Sequence, residues 1–254
     1  MSANLPPEFS PSPRPMPAAR VHRGRFIALL PQDPARDAEP LFEISHGDPE
    51  TEKLWTYLPV GPFGNAAELR DFLKSWGGAA DVLAFTVRAS GAGRPEAAAG
   101  SRSTETGAET ETEDGAALGS ISLMSLRPAH GVGELGNIWF CPAAQRTRAN
   151  TEANYLLLKH CFEDLGYRRM EWKCNALNLP SRKAALRLGF TFEGIFRQHM
   201  IVKGLNRDTA WFSMLDHEWP EVKRRLEAWL ESECPEPLRG SGSPQPEGVL
   251  NGRD

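Results

Sequence analysis

The sequence predicts a mixed α/β sheet with helices on both faces, and three observations carry that prediction. Apolar runs of strand length alternate with amphipathic helical stretches across residues 21–232. Gly, Pro and Asn punctuate the joints between them. No segment repeats another and no Cys-x-x-Cys pair occurs, so neither a repeat array nor a zinc or disulfide framework organises the chain.

Each element has a local reason. Residues 25–30 (Arg-Phe-Ile-Ala-Leu-Leu) are apolar and open the fold as a strand, and a helical stretch follows over 34–45. A second helix runs over 65–76. Asn65 is its N-cap, Leu69, Phe72 and Leu73 share one face, and Gly77-Gly78 stops it. A strand at 82–87 enters an insertion and a strand at 118–126 leaves it. Gly131-Val-Gly133 then turns the chain into a strand over 134–140. The clearest helix spans 152–165, with Ala153, Leu156, Leu157, His160 and Cys161 on one face and Gly166 at its end. A strand at 169–174 leads to a short helix over 180–188, which starts on Pro180 and stops at Gly189. Residues 192–202 and 208–215 pair as a hairpin around Lys203-Gly-Leu-Asn206, and a polar helix at 219–229 completes one domain.

The 254 residues are 40% hydrophobic and 24% charged, an ordinary globular balance. Three stretches read as disordered. Residues 1–20 carry six prolines, 90–117 hold no aromatic, Leu, Ile or Val, and 233–254 are rich in Pro, Gly and Ser. The acids Glu105, Glu109, Glu111, Glu113 and Asp114 fall in the insertion. Without these five the net charge of −4 becomes +1, so the acidity belongs to a solvated loop. No basic stripe points to nucleic acid. No apolar run approaches the roughly 20 residues of a membrane span, and the Pro-rich start lacks the apolar core of a secretory signal. The expectation is a cytoplasmic protein whose Cys141, Cys161, Cys174 and Cys234 are reduced thiols that pack as small hydrophobes.

Gly131-Val-Gly-Glu-Leu-Gly136 spells G-x-G-x-x-G, but a strand, not a helix, follows it, so it reads as a hairpin turn and not a dinucleotide loop. The junction 139–153 carries more. A strand ends, Pro142 breaks it, and a helix starts near Asn150 or Thr151 with Arg146 and Arg148 beside it. A helix start offers unpaired N–H groups and partial positive charge, which suits a diphosphate. The same residues also fit an ordinary capped helix with solvated arginines.

Six pieces recur in one order: Gly136-Asn-Ile-Trp-Phe140, Gln-Arg-Thr-Arg-Ala-Asn-Thr-Glu-Ala (145–153), Leu-Gly-Tyr-Arg-Arg-Met-Glu-Trp-Lys (165–173), Asn178-Leu-Pro-Ser181, Leu188-Gly-Phe190 and Arg207-Asp-Thr209. Over residues 118–219 the chain thereby resembles the GNAT superfamily of acetyl-CoA-dependent N-acetyltransferases, its RimJ/RimL-type branch in particular. The resemblance implies a mostly antiparallel central sheet and acetyl-CoA as the acetyl donor, with no metal. It implies a bulged, splayed strand at 138–141, where Ile138 and Phe140 meet the pantetheine arm. It implies a diphosphate loop of Gln145, Arg146, Thr147, Arg148, Ala149, Asn150 and Thr151. In that loop Arg148 and Asn150 replace small residues usual in the family, and Arg148 could pair with phosphate. Asn178 matches an asparagine that holds the coenzyme arm, and Ser181 a hydroxyl that protonates the departing thiolate. Both could instead cap a helix.

The acceptor amine must lose a proton. Glu134 is the candidate base, by an offset from Gln145 similar to that in histone-modifying relatives. Glu171, His199 and His217 are further candidates, while Met200 occupies the position of a glutamate base in RimL-type enzymes. Trp55 and Tyr57 stand where the family builds an acceptor wall, and could equally be core. The implied partner is an amine, of a small molecule or a protein N-terminus, with the protein a monomer or homodimer. Two other readings stay open: a catalytically silent GNAT domain that binds acyl-CoA, and an α/β protein whose helix start holds another phosphate ligand.

Overall fold

A computed structural model describes residues 12–90, 115–232 and 238. The described strands are β1 (His22–Arg23), β2 (Ile27–Pro31), β3 (Leu83–Ala89), β4 (Ala117–Arg127), β5 (Val132–Phe140), β6 (Arg169–Asn175), β7 (Thr191–Val202) and β8 (Leu205–Leu215). They form one sheet in the order β1-β2-β3-β4-β5-β6-β8-β7. Every neighbouring pair is antiparallel except β5 and β6. The helices are α1 (Pro34–Glu43), α2 (Pro49–Glu52), α3 (Ala66–Gly77), α4 (Arg148–Lys159), α5 (Leu179–Leu188) and α6 (Trp219–Glu231).

Two apolar layers sit on opposite faces of this sheet, as strand alternation requires. On one face Ile27, Leu29, Phe85, Val87, Ile121, Leu123, Leu135, Met170, Trp172 and Phe212 pack against α4, α5 and α6. On the other, Ala38, Leu41, Leu69 and Leu73 of α1 and α3 close over Trp55, Ala117 and Trp139. Buried Asp37 joins α1 to the second face, where it accepts from Thr86 at 2.8 Å and Arg88 at 3.0 Å. Burial opposes its charge, but hydrogen bonds from Arg36, Asp33, Thr86 and Arg88 hold its carboxyl below the usual value.

Glu152 ties α4 to β2. Its buried carboxylate accepts the backbone N–H groups of Arg25, Phe26 and Ile27 at 2.8, 2.7 and 3.0 Å. Gly24 must stay a glycine for the same reason, since a Cβ there would overlap that carboxylate.

Several boundaries move from their sequence expectations. Helix α4 begins at Arg148, not at 150–152, because Thr147 takes the extended N-cap conformation. Its last turn, His160–Asp164, widens to a π-helix. Strand β5 begins at Val132, since the turn is a 3-10 turn at Pro128–His130 closed by the left-handed Gly131. Ala117, placed by composition in the insertion, is buried and opens β4. The remaining insertion residues 91–114 lie outside the described residues, as do 1–11 and all of the C-terminal tail except Leu238. Residues 12–20, read as part of a disordered arm, form no helix or strand but rest on the body. Arg14 N–H donates to Pro128 O at 2.9 Å, and Arg20 reaches Asp164 and His160. Short β1, α2 and the turn at Lys53–Trp55 gave no sequence signal long enough to read. Cys141, Cys161 and Cys174 are free and buried. Among the described residues no helix is long and apolar enough to cross a membrane.

Two stability predictions follow from these contacts. Glu152→Gln removes a charged acceptor from three N–H donors, and urea unfolding should register a loss of about 2–3 kcal/mol. His22 packs against Phe85 and His160. Burial first, then His160 and Arg20, lower its pKa from 6.5 to about 4. The folded state thus binds fewer protons than the unfolded one, so this contribution is complete above pH 6.5 and is lost as pH falls towards about 4. Unfolding free energy should drop by up to ~1.4 kcal/mol per pH unit in that window. His22→Phe should show a shallower slope between pH 6.5 and 5; an unchanged slope would refute the assignment.

Candidate active site

Strands β5 and β6 pair only from Val132 opposite Arg169 to Leu135 opposite Trp172. Beyond that point β5 continues to Phe140 and β6 to Asn175 without pairing to each other. The cause lies in β5. Against β4 its register passes from Gly136 opposite Ser122 to Trp139 opposite Ser120, which leaves one extra residue on β5. Asn137 absorbs it with φ of 47°, a left-handed conformation that asparagine tolerates better than most residues. The two strands part into a notch, with β5 backbone from 136 to 140 along one lip.

The helix start lies at the end of that lip. Gln145 folds its amide back onto Phe140 O at 3.0 Å, and exposed Arg146 turns the loop with φ of 59°. The Thr147 hydroxyl donates to Ala144 O at 2.7 Å and makes no capping bond to the first turn of α4. The N–H groups of that turn therefore meet an approaching anion without a competing side-chain cap. Arg148 and Asn150 are already engaged by the protein. The Arg148 guanidinium donates to Ser232 O and lies 5.1 Å over the Phe26 ring. Arg187 of α5 bonds Asn150 Oδ1 at 3.0 Å and buried Thr151 Oγ1 at 2.8 Å, fixing the start of α4 against α5. Ala149 is buried beneath it. Of the loop residues, Gln145 and Arg146 are exposed, Thr147, Arg148 and Asn150 half-buried, and Ala149 and Thr151 buried.

The two predicted catalytic side chains flank the notch on opposite faces. Glu134 is buried on the α1–α3 side, beside Glu171 on the neighbouring strand. Its Oε2 takes both contacts, Ser125 Oγ at 2.9 Å and Lys173 Nζ at 2.7 Å. Ser181 belongs to the opposite face, where its Oγ accepts from Trp172 Nε1 at 3.0 Å and its own proton is not committed to that bond. The hydroxyl also adjoins the Cys174 thiol, whose pKa burial pushes up. Asn178 caps α5 by accepting Ser181 N–H at 3.1 Å. Ile138 is half-buried at the bulge. The Phe140 ring belongs to the core, which leaves its backbone as the part of this residue on the strand lip.

Sheet alternation gives the face around Glu134 an unusual lining. Arg169, Glu171 and Lys173 follow at every second residue of β6, where a covered strand would carry apolar groups. Arg127, Arg169 and Lys173 counter the burial of Glu171 and hold its carboxyl below the ordinary value. Arg169 in turn pairs with Glu193 at 2.6 Å. This period-two charge run was visible in the sequence and is the signal that would have found Lys173. At the far side of the face Lys203, from the β7–β8 turn, donates to Trp55 O at 2.7 Å and bridges to the α1–α3 layer.

Other candidates sit elsewhere. Trp55 is a core residue and not an exposed wall, with its Nε1 bonded to Ser45 O at 3.1 Å and its ring against Trp139. Tyr57 is half-buried. His199 bonds Thr209 at 3.0 Å, His217 is exposed beside Asp216, and Met200 is exposed on β7.

The sheet thus splits between its parallel strands beside a helix start that has no side-chain cap. The acetyltransferase (GNAT) domain family matches residues 27–191, and the chain belongs to that family. A GCN5-related N-acetyltransferase from Brucella melitensis is 40% identical, covering 87% of this chain and 90% of its own, with a TM-score of 0.74. A GNAT-family structure from Chromobacterium violaceum ATCC 12472 is 35% identical over 87% of this chain and 98% of its own, with a TM-score of 0.72. "Putative ribosomal N-acetyltransferase YdaF" of Bacillus subtilis (strain 168) is 31% identical over 110 residues. That match spans 43% of this chain and 60% of the relative's length.

Capping and coenzyme contact by Asn178 separate experimentally. Asn178→Asp keeps a good cap and should leave thermal stability unchanged, whereas Asn178→Ala should cost about 1 kcal/mol. A coenzyme role predicts weaker acetyl-CoA binding in both variants by calorimetry.

Proposed function

We propose that this chain transfers the acetyl group of acetyl-CoA to a primary amine, by direct attack while both substrates are bound. The observation that carries this reading is the notch itself, with Glu134 on one face and Ser181 on the other. The donor's diphosphate would rest on the first turn of α4, and its pantetheine arm would pass along the β5 lip. The amine would approach from the Glu134 face. Glu134 Oε1, which has neither the Ser125 nor the Lys173 contact, faces Gly136 and is the oxygen available to take the amine proton. Met124 fills the space a side chain at Gly136 would need, so the strand stays narrow beside that oxygen. As the amine adds to the thioester carbonyl, negative charge develops on its oxygen, and a fixed N–H of the bulged β5 segment can stabilise it. The departing thiolate would be protonated by the Ser181 hydroxyl. The acceptor would be a small-molecule amine or a protein N-terminus.

A second reading, a coenzyme-binding domain without catalysis, draws on Arg148 and Asn150, which replace small loop residues and are engaged elsewhere.

The test is thiol release from acetyl-CoA against a panel of primary amines. Wild type should turn over with at least one amine, and Glu134→Gln should lower kcat by about 100-fold with unaltered acetyl-CoA affinity. Binding of acetyl-CoA without thiol release from any amine would favour the silent domain. Full activity in Glu134→Gln would exclude Glu134 as the base.

A further inference from the structure

We infer that Lys173 is a positioning residue for Glu134, an inference that rests on the role of Glu134 proposed above. Glu134 and Glu171 stand directly opposite each other on adjoining strands, and both are buried, at 5% and 4% exposure. Two carboxylates so placed repel each other unless a cation stands between them. Lys173 lies between them, with Nζ 2.7 Å from Glu134 Oε2 and 3.3 Å from Glu171 Oε2. Its ammonium is itself fixed, 4.2 Å from the centre of the Trp211 ring on β8.

The supply of cations to the two acids is unequal. Glu171 also pairs with Arg127 and Arg169, each at 2.9 Å. At Glu134 the ion pair is Lys173, supplemented by the Ser125 hydroxyl and a longer-range interaction with Arg207. Both close contacts fall on Oε2, which turns Oε1 towards Gly136 and the bulge. Lys173 therefore does two things for the reaction. It holds the Glu134 carboxylate by Oε2 and leaves Oε1 free, and its positive charge disfavours the ammonium form of an amine that enters beside it. Neither task puts Lys173 on the substrate; it acts through Glu134.

The experiment compares wild type with Lys173→Met, Lys173→Arg, Glu134→Gln and the Glu134→Gln/Lys173→Met double variant. The assay is thiol release with whichever amine wild type accepts, with acetyl-CoA affinity and thermal unfolding recorded for each. Lys173→Met should lower kcat by about 30-fold with acetyl-CoA affinity unchanged, and Lys173→Arg should stay within about fivefold of wild type. The double variant should be no slower than Glu134→Gln alone, because two residues that act through one proton transfer are not additive. Should Lys173→Met fail to fold, Lys173→Gln replaces it in the series. A Lys173→Met kcat within about threefold of wild type, beside an impaired Glu134→Gln, overturns this inference alone. So does a double variant whose loss equals the product of the single losses. Full activity in Glu134→Gln overturns the base assignment and this inference with it.

Discussion

The parting of β5 and β6 is the constraint on which the rest of the site depends. A parallel pair that stops after four opposed residues leaves backbone polar groups unladdered inside a protein, an arrangement that persists only where something else holds the strands. Here Asn137 supplies the extra residue, the antiparallel pairing with β4 holds the other edge of β5, and β8 holds the other edge of β6. The notch is thus framed by two well-paired strands rather than by loops. That makes it a fixed opening through the sheet, with different chemistry on its two faces.

The helix that starts beside the notch is anchored from two directions. Glu152 binds the start of β2 through three N–H groups, and Arg187 of α5 grips Asn150 and Thr151. Burial depresses the pKa of Arg187, with neighbouring Arg225 adding to the effect. A charged group held in such surroundings is costly unless its hydrogen bonds are made, which gives the α4–α5 junction a defined geometry. The open face of β6 to β8 follows another logic. Its charged residues on β6 are paired with one another and with Glu134 and Glu193, whereas the β7–β8 end of the sheet exposes Phe196, Met200, Ile201 and Leu205.

The sequence made the order of the longer elements legible because their signals are local, whereas Glu134 and Ser181 were reached through the family resemblance. Asn65 caps α3 through Glu68 N–H at 3.0 Å, and Gly189 ends α5 in a left-handed conformation, each as a short-range rule requires. The bulge was anticipated through the family resemblance, but its residue was not, since an asparagine within a strand has several possible conformations. The position of Trp55 was ambiguous for a related reason: an aromatic before a helix is wall or core according to what packs on it, and here Phe63 and Trp139 do. Glu152 and Arg187 escaped notice because their partners lie far along the chain, and the charge run of β6 marks Lys173 without naming Glu134 as its partner. No local pattern marks a carboxylate that binds backbone 125 to 127 residues away.

The most direct test of this account is a calorimetric titration of the full chain with acetyl-CoA and, separately, with ADP. The notch and the helix start act together on one ligand, so acetyl-CoA should bind with a Kd in the micromolar range, about 100-fold or more tighter than ADP. Equal affinities would assign the site to diphosphates alone and leave the notch without a ligand. Absence of acetyl-CoA binding would contradict the account outright.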